Sequence, residues 1–247
     1  MIYKYTLNKN KMKDILNIEK KICLVTGAYS GIGRNVADFL EKNNAIVIRI
    51  DKKKIKAKNS FILNLKNISS VKKFTKKISS KYKSIDALIN IAGVSDSKNF
   101  ENNIIVNLVS NYYLTKGLIK VLKKNNGRTS SVINFTSLNS ELGFSSNPGY
   151  VASKGGLKQL TKSMAFDYSS YNIRFNNVGP GYIKTNMTIK SFKNLKLKKK
   201  RIERMMIKKF GEPKDLFGII KYLISDGSSY VTAQDFYIDG GFLSKGI

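Results

Sequence analysis

Short, continuously apolar runs alternate along this chain with longer stretches whose apolar residues recur every three or four positions. The runs at 22–26, 45–50, 61–63, 85–89, 131–135, 173–178 and 235–238 predict strands. The periodic stretches predict helices: one after residue 31 with Ile32, Val36, Phe39 and Leu40 on one side, then 71–82, 103–124, 150–168, 184–209 and 216–224. Strands that are apolar throughout, separated by helices, predict a parallel sheet covered on both faces. The expected fold class is therefore α/β, a doubly wound parallel sheet. Residues 1–20 are polar and Lys-rich and read as an extension; 21–247 reads as a single domain with no repeat or linker.

Three places interrupt this pattern with chemistry. The first strand runs into Thr26-Gly-Ala-Tyr-Ser-Gly-Ile-Gly33 and then a helix. Such a turn lets a pyrophosphate approach the backbone at a helix N-terminus. The second strand ends at Asp51, 18 residues after Gly33, where a carboxylate accepts hydrogen bonds from an adenosine ribose and repels a 2′-phosphate. NAD is thus expected ahead of NADP, although Lys52, Lys53 and Lys54 are within reach of a phosphate. Finally, Tyr150 and Lys154 lie four residues apart, one helical turn, with Ser137 thirteen residues upstream at the end of an apolar run. An ammonium beside a phenol favours the phenolate, so the phenol's pKa is expected to fall toward working pH and suit a general acid/base.

Composition narrows the chemistry further. There is no His and one cysteine, Cys23, so a His- or Cys-based metal site or triad is excluded and no metal is expected. Cys23 lies in an apolar run, reads as a buried inert thiol and fits a reducing cytoplasm. No stretch approaches the roughly 20 apolar residues that span a bilayer. The net charge of +29 is carried by 39 Lys against 6 Arg and is scattered over almost every segment. Asn and Ile, whose codons are A/T-rich like those of Lys, are also abundant at 25 and 29 residues, so a nucleotide bias accounts for the charge better than a polyanionic partner. Nucleic acid is not the expected partner, since no basic stripe is interleaved with stacking aromatics.

In order and spacing, these motifs together with Asn90-Ile-Ala-Gly93, Asn107, Pro180-Gly-Tyr-Ile-Lys-Thr185 and Asp239-Gly-Gly241 resemble a short-chain dehydrogenase/reductase from about residue 20 to the end. The resemblance implies a Rossmann-like fold and a catalytic set of Tyr150 as acid/base, Lys154 lowering its pKa and holding the nicotinamide ribose, Ser137 on the substrate oxygen, and Asn107 holding a relay water. It further implies a cofactor site comprising Gly27, Ser30, Gly31, Ile32, Gly33 and Asp51, with Asn64 and Leu65 against adenine. Asn90, Ala92 and Gly93 would line the adenosine side, and Pro180, Gly181, Ile183 and Thr185 would lie toward the nicotinamide. Relatives usually have Asp where Asn64 stands, a second Asn at Ile91 and Gly at Ala233. The intervals Asp51–Asn64 and Gly93–Asn107 are also short, the first leaving no room for a crossover helix.

The expected function is an NAD(H)-dependent oxidoreductase interconverting a secondary alcohol and a ketone on a small anionic substrate. That charge preference rests on the segment 184–210, expected to fold over the substrate, which carries eleven Lys/Arg and one acid, Glu203, between Lys184 and Lys209. The alternatives are an NADPH-dependent 3-oxoacyl-carrier-protein reductase, and a catalytically idle dinucleotide- or nucleic-acid-binding protein. Apolar residues on more than one side of 103–124 and 150–168, read with the resemblance, imply a homodimer or homotetramer.

Overall fold

A computed structural model describes residues 14–54, 56–123 and 129–245. Seven strands, β1 (Ile22–Thr26), β2 (Ile46–Asp51), β3 (Ser60–Ile62), β4 (Ala87–Asn90), β5 (Ser130–Phe135), β6 (Ile173–Pro180) and β7 (Asp235–Ile238), form one sheet in the order β3-β2-β1-β4-β5-β6-β7. Every pairing is parallel. The order reverses between β1 and β4, so the loops leaving their C-terminal ends part and open a crevice there, the usual ligand position in such a Rossmann-like sheet.

Successive strand residues feed opposite layers, which explains the continuous apolar runs. Leu24, Ile48, Leu88 and Val132 pack with residues of α2 (Ile68–Lys81), α4 (Ser110–Leu122) and α5 (Pro148–Asp167). Their neighbours Cys23, Val25, Val47, Ala87 and Ile133 pack on the other side with α1 (Gly31–Lys42) and α8 (Phe217–Ile224). Cys23 is fully buried, and that burial pushes its thiol up to about 12, which leaves it unreactive.

The long helix expected over 103–124 begins earlier, as α3 (Phe100–Ile104), and passes through a π turn at Ile105–Val109 into α4. Among the described residues no helix lies between β2 and β3, in keeping with the short interval. The basic segment holds two short helices, α6 (Ile189–Lys193) and α7 (Leu195–Glu203), instead of one long one. Of the expected extension, 1–13 lies outside the described residues, whereas Ile18 is buried in the layer beneath α1 and α8.

A polar row crosses the α5 side of the sheet. Asn90, Asn134, Asn177 and Asp235 are paired neighbours on β4, β5, β6 and β7. Asn90 donates to Asn134 (2.8 Å), Asn134 to Thr161 of α5 (2.8 Å), Thr161 to Asn177 (2.7 Å) and Asn177 to Asp235 (2.7 Å). Most of the row's buried polar atoms are tolerated there because they bond one another, while Asn90 Oδ1 is left without a partner. Lys162 closes the row from α5, 3.0 Å from Asp235.

Candidate active site

The crevice above β1 and β4 holds a cavity of about 630 Å³. Its floor is the turn from β1 into α1. Gly27 and Gly31 adopt positive φ (72° and 57°), and a Cβ on Gly33 would lie 2.2 Å from the Gly27 carbonyl oxygen, so the sharp bend needs glycine. The free N–H groups of α1 begin here beside Ser30, Gly31, Ile32 and Gly33. At one flank Asp51 accepts the backbone N–H groups of Tyr29 and Lys53, each at 3.1 Å. Asn64 and Leu65 line the same flank, Ala92 and Gly93 the opposite wall, and Thr185 the rim.

Some expected residues lie elsewhere. Asn90 is 1% exposed and its amide serves the polar row, so it supports the wall from behind instead of lining it. Pro180 ends β6, Gly181 packs against Asp239 and Ile183 is buried among the apolar residues near α8. Lys52 and Lys53, expected within reach of a phosphate, line the cavity, and so do Tyr29, Lys66 and Asn102, which the sequence did not assign to it. The signal for them was positional: each closely follows the C-terminal end of a parallel strand or opens the helix after it.

Behind the Gly93 wall stands the candidate acid/base set; Gly93 lines the cavity, whereas Tyr150, Lys154, Ser137 and Asn107 do not. Asn147 caps α5 by accepting the Tyr150 N–H at 3.1 Å, and Pro148 occupies the first turn, where its missing donor costs nothing. Lys154 is buried and donates to the Phe135 carbonyl at 2.6 Å, with its Nζ 5.8 Å from the Tyr150 ring centre. A Cβ on Gly93 would stand 3.2 Å from Asn107 Oδ1 and 3.5 Å from Lys154 Nζ, so the cavity wall and this set are in contact. Ser137 opens a tight turn and donates to Asn139 Oδ1 (3.2 Å), and its hydroxyl acts on the Tyr150 phenol in the direction that lowers its pKa. Asn107 sits in the π turn. Its side chain clamps both backbone groups of Val94 at 2.8 Å and reaches Ser153 at 3.0 Å, while its carbonyl accepts Asn111 Nδ2 at 2.6 Å. Tyr150, Lys154, Ser137 and Asn107 thus converge.

Electrostatics differ from the expected lowering of the Tyr150 pKa. Burial raises Tyr150 above its ordinary value, with the Ser137 hydroxyl opposing. Burial likewise pushes the Lys154 ammonium down to about 8. Desolvation wins because the lysine donates to a neutral carbonyl rather than to a carboxylate. Burial therefore favours the protonated, proton-donating form of Tyr150.

Comparison with known proteins matches this architecture. A family model described as enoyl-(acyl carrier protein) reductase covers residues 27–243. The chain belongs to the short-chain dehydrogenase/reductase family. It is 35% identical to the 3-oxoacyl-[acyl-carrier-protein] reductase FabG of Buchnera aphidicola subsp. Schizaphis graminum, over 92% of this chain and 98% of that protein. The structure of 4-hydroxyisoleucine dehydrogenase complexed with NADH superposes with a TM-score of 0.85 at 28% identity, covering 92% of this chain and 100% of that one. A provisionally named 2-deoxy-D-gluconate 3-dehydrogenase of Agrobacterium tumefaciens, solved with NADP, gives 0.84 at 27% identity over 94% and 100%. Among the described residues no helix is long and apolar enough to cross a membrane. An oxidoreductase of this family is thus the class of protein at hand.

Proposed function

We propose that this short-chain dehydrogenase/reductase interconverts a secondary alcohol and a ketone on a small anionic substrate, with NAD(H) as cofactor. The observation that carries the reading is the contact between Gly93 on the cavity wall and Lys154 behind it, one turn from Tyr150. The cavity fits a dinucleotide: a glycine bend and helix N-terminus suit a pyrophosphate, and Asp51 suits the adenosine ribose. The bound nicotinamide supplies or accepts the hydride.

The chain's own residues handle the proton and the charge. In reduction Tyr150 gives its hydroxyl proton to the carbonyl oxygen, and Ser137 donates a hydrogen bond to that oxygen as negative charge develops on it. Lys154 stabilises the phenolate left behind and holds the nicotinamide ribose. The second lone pair of the Asn107 carbonyl takes a water that returns a proton toward Lys154. Oxidation runs the same steps backward. Screening sugar nucleotides, hydroxy acids and 3-oxoacyl thioesters with both cofactors identifies the substrate. On that substrate, Tyr150→Phe should lower turnover at least about 10²-fold while dinucleotide binding persists; undiminished turnover rejects the assignment.

A second reading, an NADPH-dependent 3-oxoacyl-carrier-protein reductase, is supported by the Buchnera relative and by Lys52, Lys53 and Lys66, which line the cavity around Asp51.

A further inference from the structure

The turn that presents Ser137 is tied to the rest of the protein at its far end, by a residue the chemistry above does not use. Ser137, Leu138, Asn139 and Ser140 form one 3-10 turn, in which Ser140 Oγ accepts the Ser137 N–H (3.3 Å) and donates to the Lys154 carbonyl on α5 (3.1 Å). The next residue is Glu141. One of its carboxylate oxygens receives both the Lys158 ammonium from α5 and the Tyr237 hydroxyl from β7.

Each of those donors is itself fixed. Lys158 lies one turn beyond Lys154 and is 3.7 Å from Asp235, which ends the polar row. The Tyr237 ring lies flat against Gly179 of β6, where a Cβ would come within 2.3 Å of it. Leu138, on the turn's other side, is 3% exposed and packs with Met205 and Phe242. The turn thus has an apolar anchor on one side and an ionic anchor on the other.

We propose that Glu141 is a positioning residue that locks the Ser137 turn against α5, the helix bearing Tyr150 and Lys154, and so sets how the Ser137 hydroxyl is presented to Tyr150. The inference rests on the catalytic reading of those residues given above. The charged and titratable groups facing Glu141 are Lys158, Tyr237 and, through Lys158, Asp235 and Lys162. Burial lifts the Glu141 carboxyl, but Lys158 and Tyr237 outweigh it and hold it below the usual range, so the tie persists at neutral pH. Lys158, bonded to Glu141, is raised and stays cationic.

The sign of one shift separates positioning from plain electrostatics. Removing a carboxylate near Tyr150 lowers a phenol's pKa, because a negative neighbour disfavours the phenolate. Moving the Ser137 hydroxyl away from the phenol raises it, because a hydroxyl donor beside the phenol favours the phenolate. The titration is followed by NMR on protein carrying ¹³Cζ-tyrosine, with the Tyr150 signal assigned by Tyr150→Phe. Folding of each variant is checked by NADH binding.

Glu141→Ala should move the Tyr150 midpoint upward, by roughly half a unit or more, as Ser137→Ala does. In the Ser137→Ala background it should produce no further rise. Glu141→Gln keeps an acceptor oxygen for Lys158 and Tyr237, so it should show no rise. A fall or no change with Glu141→Ala, or an equal rise in the Ser137→Ala background, overturns the proposal. This titration needs no substrate, so the catalytic reading can fail through Tyr150→Phe kinetics while the positioning role stands, and the reverse.

Discussion

Asp51 spends both carboxylate oxygens on backbone N–H groups, of Tyr29 and of Lys53, so it is held at the cavity edge before any ligand arrives. Its position suits a ribose diol, while Lys53, whose ammonium lies 4.9 Å from the Tyr29 ring centre, waits beside it with the opposite preference. On the proposed reading the carboxylate is what would discriminate between the two cofactors, since a 2′-phosphate brought against it would meet a like charge at a cost of several kcal/mol. Asp51→Ala should therefore raise the ratio of kcat/KM for NADPH over NADH at least about tenfold. A ratio that does not rise removes the argument for NAD. Tyr150, Lys154 and Ser137 were legible in the sequence because one helical turn and one strand end fix their relation locally. Glu141 was not, because its partners Lys158 and Tyr237 reach it from a helix and a strand that only the folded chain brings together. The same distance in sequence hid the net effect of burial on Tyr150 and Lys154, which nearest-neighbour charge reasoning places in the opposite direction for the phenol.

Among the elements, α5 connects catalysis to the sheet. Its N-terminal turn carries Tyr150 and its second turn Lys154; Thr161 follows, inserted between Asn134 and Asn177 of the polar row. Asn177→Ala should strand the Asp235 and Thr161 partners in the interior. The expected loss is about 1–3 kcal/mol, read from a lower urea midpoint at unchanged slope; an unchanged midpoint shows that the row contributes nothing. The strands themselves were read to within two or three residues at either end, because both faces of a parallel sheet are apolar and the runs stand out. The π turn at Ile105–Val109 was not, since periodicity averages over a single widened turn. Nor was the division of the basic segment into α6 and α7, whose Lys-rich sequence has a weak apolar period.

At the scale of the whole molecule, the charge of +29 surrounds a cavity already lined by Lys52, Lys53 and Lys66. Over the basic segment Arg201 stacks on Tyr182 (4.4 Å) and Lys198 on Phe192 (4.7 Å), so part of that charge is fixed over aromatic rings near the site. The proposed anionic substrate would be drawn in through this field, and salt would shorten its reach to about 10 Å at 0.1 M. Raising salt from 0.05 to 0.5 M should increase KM about 3–10-fold with turnover nearly constant. A KM indifferent to salt rules out an anionic substrate. The row of amides from Asn90 to Asp235 has a consequence for how the protein is built. An apolar strand can slide past its neighbour with little loss, but here a shift by one position would swing carboxamides into the wrong layer with nothing to bond. The chain therefore checks the alignment of its last four strands with polar groups, below the very strand ends that carry Gly93 and Ser137.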